Sequence, residues 1–348
     1  MPREVLFIID AGPDYGVGHI TRTADLARLL AARGYKCSVW VRSKNGSKGF
    51  ERRFFSGPVR VLRSQDDLTP FLRPDAVHCV IVDVLKLPAV RLVRPFFERK
   101  IPIVLIGNYE RVPEWVSFCI STHLKPRKIA AGTPVVSGPA YTVLSRAFAS
   151  YRQASSGPRS LRKRAREILV LPGGGNTGGM VFKILRALNG LPDSCRVSLV
   201  LGALFTKKNE LSKTLHGFDG RINVFYDVSQ QAMLRLMKKA DIAILSFGRT
   251  IDEARALGLP AVVLSSSVLN DKGSREAASQ GGVDYLGDFR KVSAGKMRRE
   301  IARLMDDLER RERLSREGRR LIDGLGADRM IRAICGVLRR SAAGGAIR

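Results

Sequence analysis

Cysteine is scarce in this chain and scattered where it occurs. Five cysteines stand at positions 37, 79, 119, 195 and 335, with no Cys-x-x-Cys pair among them. An odd number so widely spaced excludes a disulfide framework and a zinc site, and points to reduced thiols in a cytosolic protein. Several lie inside apolar runs, such as Val77-His-Cys-Val80 and Ser117-Phe-Cys-Ile120, as buried thiols do. Long hydrophobic stretches are missing as well: no apolar run approaches the length that crosses a bilayer. Arg3, Glu4 and Asp10 surround the first short apolar run, which is not the pattern of a secretory signal. Acidic residues are the third shortage. Against 60 lysines and arginines there are 32 aspartates and glutamates, a formal net charge of +28. That excess implies an anionic partner: nucleic acid, an acidic membrane surface or a phosphorylated substrate. The expectation is a soluble cytoplasmic protein with room for peripheral contact with an anionic membrane.

What is present begins with Asp10-Ala-Gly-Pro-Asp-Tyr-Gly-Val-Gly-His-Ile-Thr-Arg-Thr23. Val5-Leu-Phe-Ile-Ile9 before it has the length and β-branched content of a buried strand. Leu26, Leu29 and Leu30 after it share one helical face ahead of Gly34. Strand, glycine-rich turn and helix together set backbone N–H groups and a positive dipole end before an anion. Gly16 and Gly18 let the backbone approach a ligand, and His19 stands at the helix mouth. A lone histidine is more often structural, but one directly after Gly-Val-Gly at such a turn reads as functional. Strands expected at 36–42, 59–62, 78–83 and 101–106 alternate with helical segments, which argues for a parallel sheet covered on both faces. Ligands bind such sheets at the carboxyl ends of the strands, where Asp10 and Asp83 fall.

Small residues and then a basic run, from Gln153 to Arg166, have the composition of an exposed interdomain linker. Beyond it the pattern restarts with a strand at 167–171, the turn Pro172-Gly-Gly-Gly-Asn-Thr-Gly-Gly179 and a helix at 180–188. Further strands are expected at 196–201, 222–225, 241–245 and 261–264. One long amphipathic helix runs from Met297 through Leu308, and a second covers 330–338. The chain therefore divides into an N-terminal domain over 1–152, a linker over 153–166, a second domain over 167–325, and a C-terminal helix and tail over 326–348. A third turn, Ser246-Phe-Gly-Arg-Thr-Ile-Asp-Glu253, starts at a strand end and enters a helix. Gly248, Arg249 and Thr250 then face a phosphate, with Asp252 and Glu253 just behind. Either a carboxylate there accepts hydrogen bonds from vicinal ribose hydroxyls, or both acids merely favour the helix N-terminus. Local sequence leaves those alternatives even.

These turns lack what other nucleotide sites require. A dinucleotide site wants Gly-x-Gly-x-x-Gly and an acid closing the second strand, but here Gly18 is followed by His-Ile-Thr21 and the strand ends in Arg42-Ser43-Lys44. A phosphate-binding NTPase loop wants Gly-Lys-Ser/Thr, and Gly179-Met180 stands in its place. No Asp-x-Asp pair exists to carry a metal diphosphate, while Asp66-Asp67 and Asp306-Asp307 have the look of solvated faces. What remains is two facing α/β domains binding a diphosphate-linked ligand through backbone amides and helix dipoles, Gly173, Gly174 and Gly175 among them, with neither metal nor cofactor.

Asp10 with Gly16-Val-Gly-His-Ile-Thr-Arg22 resembles the opening of the UDP-sugar hydrolases of pseudaminic acid biosynthesis and of related spore-coat polysaccharide proteins. Gly138-Pro-Ala-Tyr-Thr-Val-Leu-Ser-Arg-Ala-Phe148 is similar to that family's Gly-x-x-Tyr-x-x-Leu-Arg-x-x-Phe motif. Pro172-Gly-Gly, Ala240-Asp-Ile-Ala-Ile and Glu253-Ala-Arg-Ala-Leu-Gly-Leu-Pro260 resemble its second domain. More distantly the chain resembles the muramyl-pathway N-acetylglucosaminyl transferases. The likeness runs from about residue 4 to 290, with four motifs in order. It implies the GT-B architecture, an α/β fold of two Rossmann-like domains facing across a cleft, with a UDP-sugar as substrate. It also implies that His19 is the general base, that Glu253 holds the ribose and that Asp252 lies beside the sugar, with Arg22 closing the first motif. Three positions depart from the family: Val84-Leu85-Lys86 where a tyrosine is common, Asp252 for asparagine, and Asn176 for aspartate. They leave open the sugar, and whether water or a glycan or lipid-linked hydroxyl is the acceptor.

The charge poses a separate question. Arg52-Arg-Phe-Phe55 and Arg91-Leu-Val-Arg-Pro-Phe-Phe-Glu-Arg-Lys100 interleave cations with aromatics. Such runs serve a membrane-docking or nucleic-acid face, or simply pack a core helix whose arginines stay solvated. No RNA- or DNA-binding motif accompanies them, so no specific nucleic acid is expected as a partner.

Overall fold

The computed structural model describes residues 4–10, 18–42, 54–62, 76–84, 87, 90–123, 125–173, 179–203, 205–218 and 221–342. The chain forms two compact units, Met1–Val143 with Leu325–Arg348, and Leu144–Gly324.

The first unit opens with β1 (Glu4–Asp10), α1 (Gly18–Ala31), β2 (Lys36–Arg42), β3 (Val59–Leu62) and β4 (Val77–Asp83). It continues with α2 (Val90–Glu98), β5 (Ile103–Ile106), β6 (Arg111–Val112), β7 (Phe118–Ser121), β8 (Lys128–Ile129) and β9 (Val135–Ser137). Among the described residues, seven strands form one parallel sheet in the order β3-β2-β1-β4-β5-β7-β9, and β6 pairs with β8 apart from it. The unbroken apolar run of β1 follows from cover on both faces. Val5, Phe7 and Ile9 pack with Ile20, Leu26 and Leu30 of α1. Leu6 and Ile8 point the other way, against Leu92, Val93 and Phe96 of α2. Alternate residues thus enter opposite cores, as a period of two dictates. The last helix of the chain, α11 (Gly326–Ala342), belongs to this unit, because Met330, Ile331 and Ile334 join the Val5–Phe7–Ile9 core. The cation–aromatic run of α2 is largely a packing helix. Phe96 is buried in it and Phe97 is 48% exposed, while Arg52 and Arg53 lie outside the described residues.

The second unit starts with α3 (Arg146–Ala154), β10 (Glu167–Leu171), α4 (Met180–Leu188), β11 (Arg196–Leu201), α5 (Lys208–Leu215) and β12 (Ile222–Tyr226). Then come α6 (Gln230–Lys239), β13 (Ile242–Ser246), α7 (Arg249–Leu257), β14 (Ala261–Ser265), α8 (Val268–Gln280), β15 (Asp284–Asp288), α9 (Ala294–Asp306) and α10 (Leu308–Leu321). Among the described residues its sheet has six parallel strands in the order β12-β11-β10-β13-β14-β15. In both units the strand order reverses beside the first strand, the doubly wound pattern that leaves a crevice at the strand ends there.

Three boundaries differ from the sequence expectation. Residues 144–152 fall in the second unit, since Leu144 and Phe148 pack into its core with Ile251 and Leu257. The helix expected from Met297 through Leu308 breaks at Asp307, whose backbone leaves the helical region at ψ +91° and whose Oδ1 accepts the Arg310 N–H at 2.8 Å. That side chain caps a new helix, α10. The basic segment 153–166, though mostly exposed, lies within the second unit rather than between domains, and hydrogen bonds strap it down. Arg159 Nη2 donates to the carbonyls of Met237 (2.9 Å), Lys238 (2.9 Å) and Ala240 (2.6 Å), acceptors that the end of α6 leaves without helical partners. Asp241 Oδ2 accepts the N–H groups of Arg166 and Glu167. The fully buried Arg311 of α10 donates to Arg162 O at 2.8 Å and Lys163 O at 2.7 Å.

Arg311→Ala removes two charge-assisted bonds and leaves a void, so it is expected to lower unfolding free energy by about 3 kcal/mol. Urea denaturation monitored by circular dichroism checks this, and an unchanged midpoint would show that the strap holds without Arg311.

Candidate active site

The two central strands of the first sheet end in acids. Asp10 closes β1 and Asp83 closes β4, on either side of the reversal in strand order. Both carboxylates are buried, at 1% and 0% exposure. Asp10 stands opposite Arg42 in the β1–β2 register, and Arg42 Nε donates to Asp10 Oδ1 at 2.7 Å. Asp83 holds a larger cluster. Arg22 grips it with two bonds, Nε to Oδ2 at 2.7 Å and Nη2 to Oδ1 at 2.5 Å, and His19 Nδ1 lies 2.6 Å from Oδ1.

Helix α1 makes this cluster possible. It begins at Gly18, earlier than its leucine pattern indicates, so His19 and Arg22 sit three residues apart in the first turns and share a face. Burial opposes charge on Asp83, but Arg22 and His19 outweigh it and hold the carboxyl well below the usual carboxylate range. An ionised Asp83 so close to Nδ1 assigns the ring proton there, which leaves Nε2 of the neutral ring as an acceptor. The His19 side chain is 15% exposed while Asp83 is sealed behind it. Behind them, the buried Tyr109 hydroxyl donates to Val84 O and steadies the chain just past Asp83. Burial first, and then the Asp83 charge, push that hydroxyl well above its ordinary value.

In the second unit the equivalent crevice follows β10 and β13. Gly173 has φ +109°, and a Cβ on it would come within 2.8 Å of Ser246 Oγ at the end of β13. Only glycine fits there. Gly248 is the exposed cap residue of α7, with Arg249 and Thr250 half-buried in the first turn. The first N–H groups of a helix have no intrahelical partner and suit an anion. Asp252 and Glu253 are both buried, at 4% and 5% exposure. Asp252 Oδ1 accepts from Arg255 Nη1 at 3.2 Å; Arg255 is itself fully buried and donates to the carbonyls of Ala277 and Gly281 at the end of α8. Asp252 thus helps to tie α7 to α8. Gly16, Gly174 and Gly175 lie outside the described residues. Among the described residues no group of three or more His, Cys, Asp or Glu is placed to hold a metal ion.

Within the first unit, then, His19, Arg22 and Asp83 come together, with Asp10 at the neighbouring strand end. Arg42 and Tyr109 went unrecognised in the sequence. Arg42 was legible only as the last residue of a strand, and its meaning depends on β2 lying beside β1 in parallel register. A second polar cluster was also missed: Ser265 Oγ, the Tyr285 hydroxyl and Arg275 Nε all meet the Asp271 carboxylate where β14 passes into α8.

Two parallel, doubly wound α/β units of this kind match the GT-B fold of glycosyltransferases. MurG of Acinetobacter baumannii superposes with a TM-score of 0.62 at 14% identity, covering 96% of this chain and all (100%) of that one. The UDP-GlcNAc 2-epimerase of Neisseria meningitidis, solved bound to UDP-GlcNAc, gives 0.63 at 14% identity over 96% and 100% of the two chains. In sequence the chain is homologous to the spore coat polysaccharide biosynthesis protein SpsG of Bacillus subtilis, 27% identical over 332 residues, 92% of this chain and 94% of SpsG. The uncharacterized protein MJ1062 of Methanocaldococcus jannaschii is 25% identical over 279 residues, 76% of this chain and 56% of that protein. No protein-family profile matches the chain.

Asp83→Asn strands the Arg22 charge and is expected to cost about 3 kcal/mol of stability at neutral pH. Folding favours the ionised carboxylate, so the contribution is complete above the unfolded value of about 3.9 and is lost as pH falls toward the lowered folded one. The gap between wild type and Asp83→Asn in denaturant midpoint should therefore be constant from neutrality to about pH 5 and shrink below about pH 4. A gap that ignores pH would disprove the ion cluster.

Proposed function

We propose that this chain is a nucleotide-sugar enzyme of polysaccharide biosynthesis that cleaves the anomeric C–O bond of a UDP-sugar, with His19 as general base and water as acceptor. The observation that carries this proposal is the Asp83–His19–Arg22 cluster between the end of β4 and the first turns of α1. Nε2 of His19 takes a proton from water as the water oxygen bonds to the anomeric carbon. The bond from that carbon to the β-phosphate oxygen breaks, and its electron pair leaves on UDP. Asp83 holds the ring in place and steadies the imidazolium that forms, the part a buried carboxylate plays behind a catalytic histidine. In this reading the backbone at Gly173 and the first N–H groups of α7, at Gly248–Thr250, receive the leaving diphosphate, and the chemistry calls for neither metal nor cofactor. Glu253 accepts from the ribose hydroxyls, and Asp252 stands beside the sugar, fixed by Arg255. Asp10 ends β1 and Gly18 opens α1, the helix that carries His19. Support for the substrate class comes from SpsG, named for polysaccharide biosynthesis, and from the UDP-GlcNAc held by the epimerase of the same fold.

A sugar hydroxyl in place of water makes the same step a glycosyl transfer. The net charge of +28 favours this second reading, with a lipid-linked acceptor met by a cytoplasmic protein at an anionic membrane and no specific nucleic acid as partner. No helix among the described residues is long and apolar enough to cross a membrane.

His19→Ala should lower turnover by about 10²–10⁴-fold while UDP affinity is kept. Glu253→Ala should instead weaken UDP binding by about 1–3 kcal/mol in calorimetry. EDTA should leave the rate unchanged. In ¹⁸O-water, label in the released sugar and not in UDP identifies hydrolysis with C–O cleavage; an unlabelled glycoside product identifies transfer. Label in UDP, or normal turnover by His19→Ala, refutes the mechanism. Membrane contact is checked by sedimentation with anionic vesicles, where binding should fade as salt shortens the screening length to about 10 Å at 0.1 M. Binding indifferent to salt would rule out an electrostatic origin.

A further inference from the structure

We infer that the first unit binds a small phosphorylated compound in a groove at the end of its sheet where the strands begin. The groove has a volume of about 340 Å³ and lies between the start of β4, the turn from α2 into β5, and the last turns of α11. β4 runs from His78 at this groove to Asp83 at its other end, so the groove is separate from the candidate active site. Its floor is apolar, formed by Ile101, Pro102 and Leu338, and its rim is basic, formed by His78, Arg99 and Lys100. Among the described residues no acidic side chain lines it.

Lys100 is the most informative of the three. Its φ of +57° lies in the left-handed region, where a side chain strains the backbone and glycine is the usual occupant. The position ends a helix: Lys100 N–H donates to Phe97 O at 2.9 Å and Ile101 N–H to Phe96 O at 3.0 Å. Gly34 after α1 and Gly258 after α7 close their helices with φ of +84° and +63°, as this position would if closure were its only task. Lysine stands here instead, and among the described residues no carboxylate pairs with its ammonium. Arg99 is steadied beside it by an Nη1 bond to Pro95 O at 3.2 Å. His78 Nδ1 is taken up by backbone, 3.1 Å from Ala76 O and 3.3 Å from Glu4 N, which leaves Nε2 for a ligand.

The Lys100 and Arg99 cations with the His78 imidazole match the charge and the acceptor oxygens of a phosphomonoester dianion. The apolar floor suits the sugar or other body attached to it. Neutralising the negative end of α11 is the alternative task for these cations, but that helix already carries Arg339 and Arg340 in its own last turn.

Equilibrium dialysis of the whole chain against inorganic phosphate and ribose 5-phosphate tests this, with Lys100→Gly, Lys100→Arg and Arg99→Gln beside the wild type. One site should weaken by about tenfold or more in Lys100→Gly and Arg99→Gln, and persist in Lys100→Arg. Lys100→Gly should melt no lower than the wild type, because glycine relieves the backbone. Equal binding by wild type and Lys100→Gly overturns the inference, as does no binding to the wild type. A lower melting temperature in Lys100→Gly with phosphate binding intact would assign the lysine to the helix ends and overturn it as well.

Discussion

A carboxylate sealed from solvent at the end of β4 governs the geometry of the first unit. Water would stabilise the Asp83 charge, and burial removes that stabilisation; the bidentate Arg22 and the adjacent His19 restore it. Because both partners ride on α1, the ion cluster locks the first helix to the sheet at the point where strand order reverses. The same contact chooses which imidazole nitrogen carries the proton, so the stability of this corner and the chemical character of His19 have one origin. Tyr109 closes the arrangement from behind by holding the backbone one residue beyond the acid.

Arginine does comparable work in the second unit, with carbonyls as its partners. Arg159 serves the end of α6, Arg255 the end of α8, and Arg311 the strap over 162–163. Helix C-termini expose carbonyls that lack partners, and a guanidinium with several donors satisfies two or three of them at once. Part of the large positive charge is therefore structural cation facing inward. Charge counting cannot separate that share from the part that faces an anionic partner, since both look alike in composition.

Local features of the fold were legible for local reasons. Buried strands such as Val5–Ile9 and Ile242–Leu245 declare themselves as short apolar runs. Where the sequence misled, a tertiary contact or a cap intervened. The leucine spacing of α1 starts only at Leu26, yet the helix begins at Gly18. Leu308 continued a helical spacing across Asp307, but the capping bond of that aspartate starts a new helix. The small and basic residues of 153–166 are mostly exposed, as their composition indicates, but they lie within the second unit rather than between domains, and nothing in their order reveals the carbonyls that Arg159 reaches.

By itself the sequence determined that a strand and then a helix open each half of the chain, and with them the α/β class and the positions of His19, Asp10 and Asp83 at strand or helix ends. Those are consequences of periodicity and of glycine's backbone freedom, which neighbouring residues express. Only the tertiary structure decided that His19 meets Asp83, 64 residues away, and that Asp10 is answered by Arg42, 32 residues away. A period of two tells which face of a strand is buried but not which strand lies beside it. Strand order is set by how whole strands and helices share two cores, and that order brought these charges together.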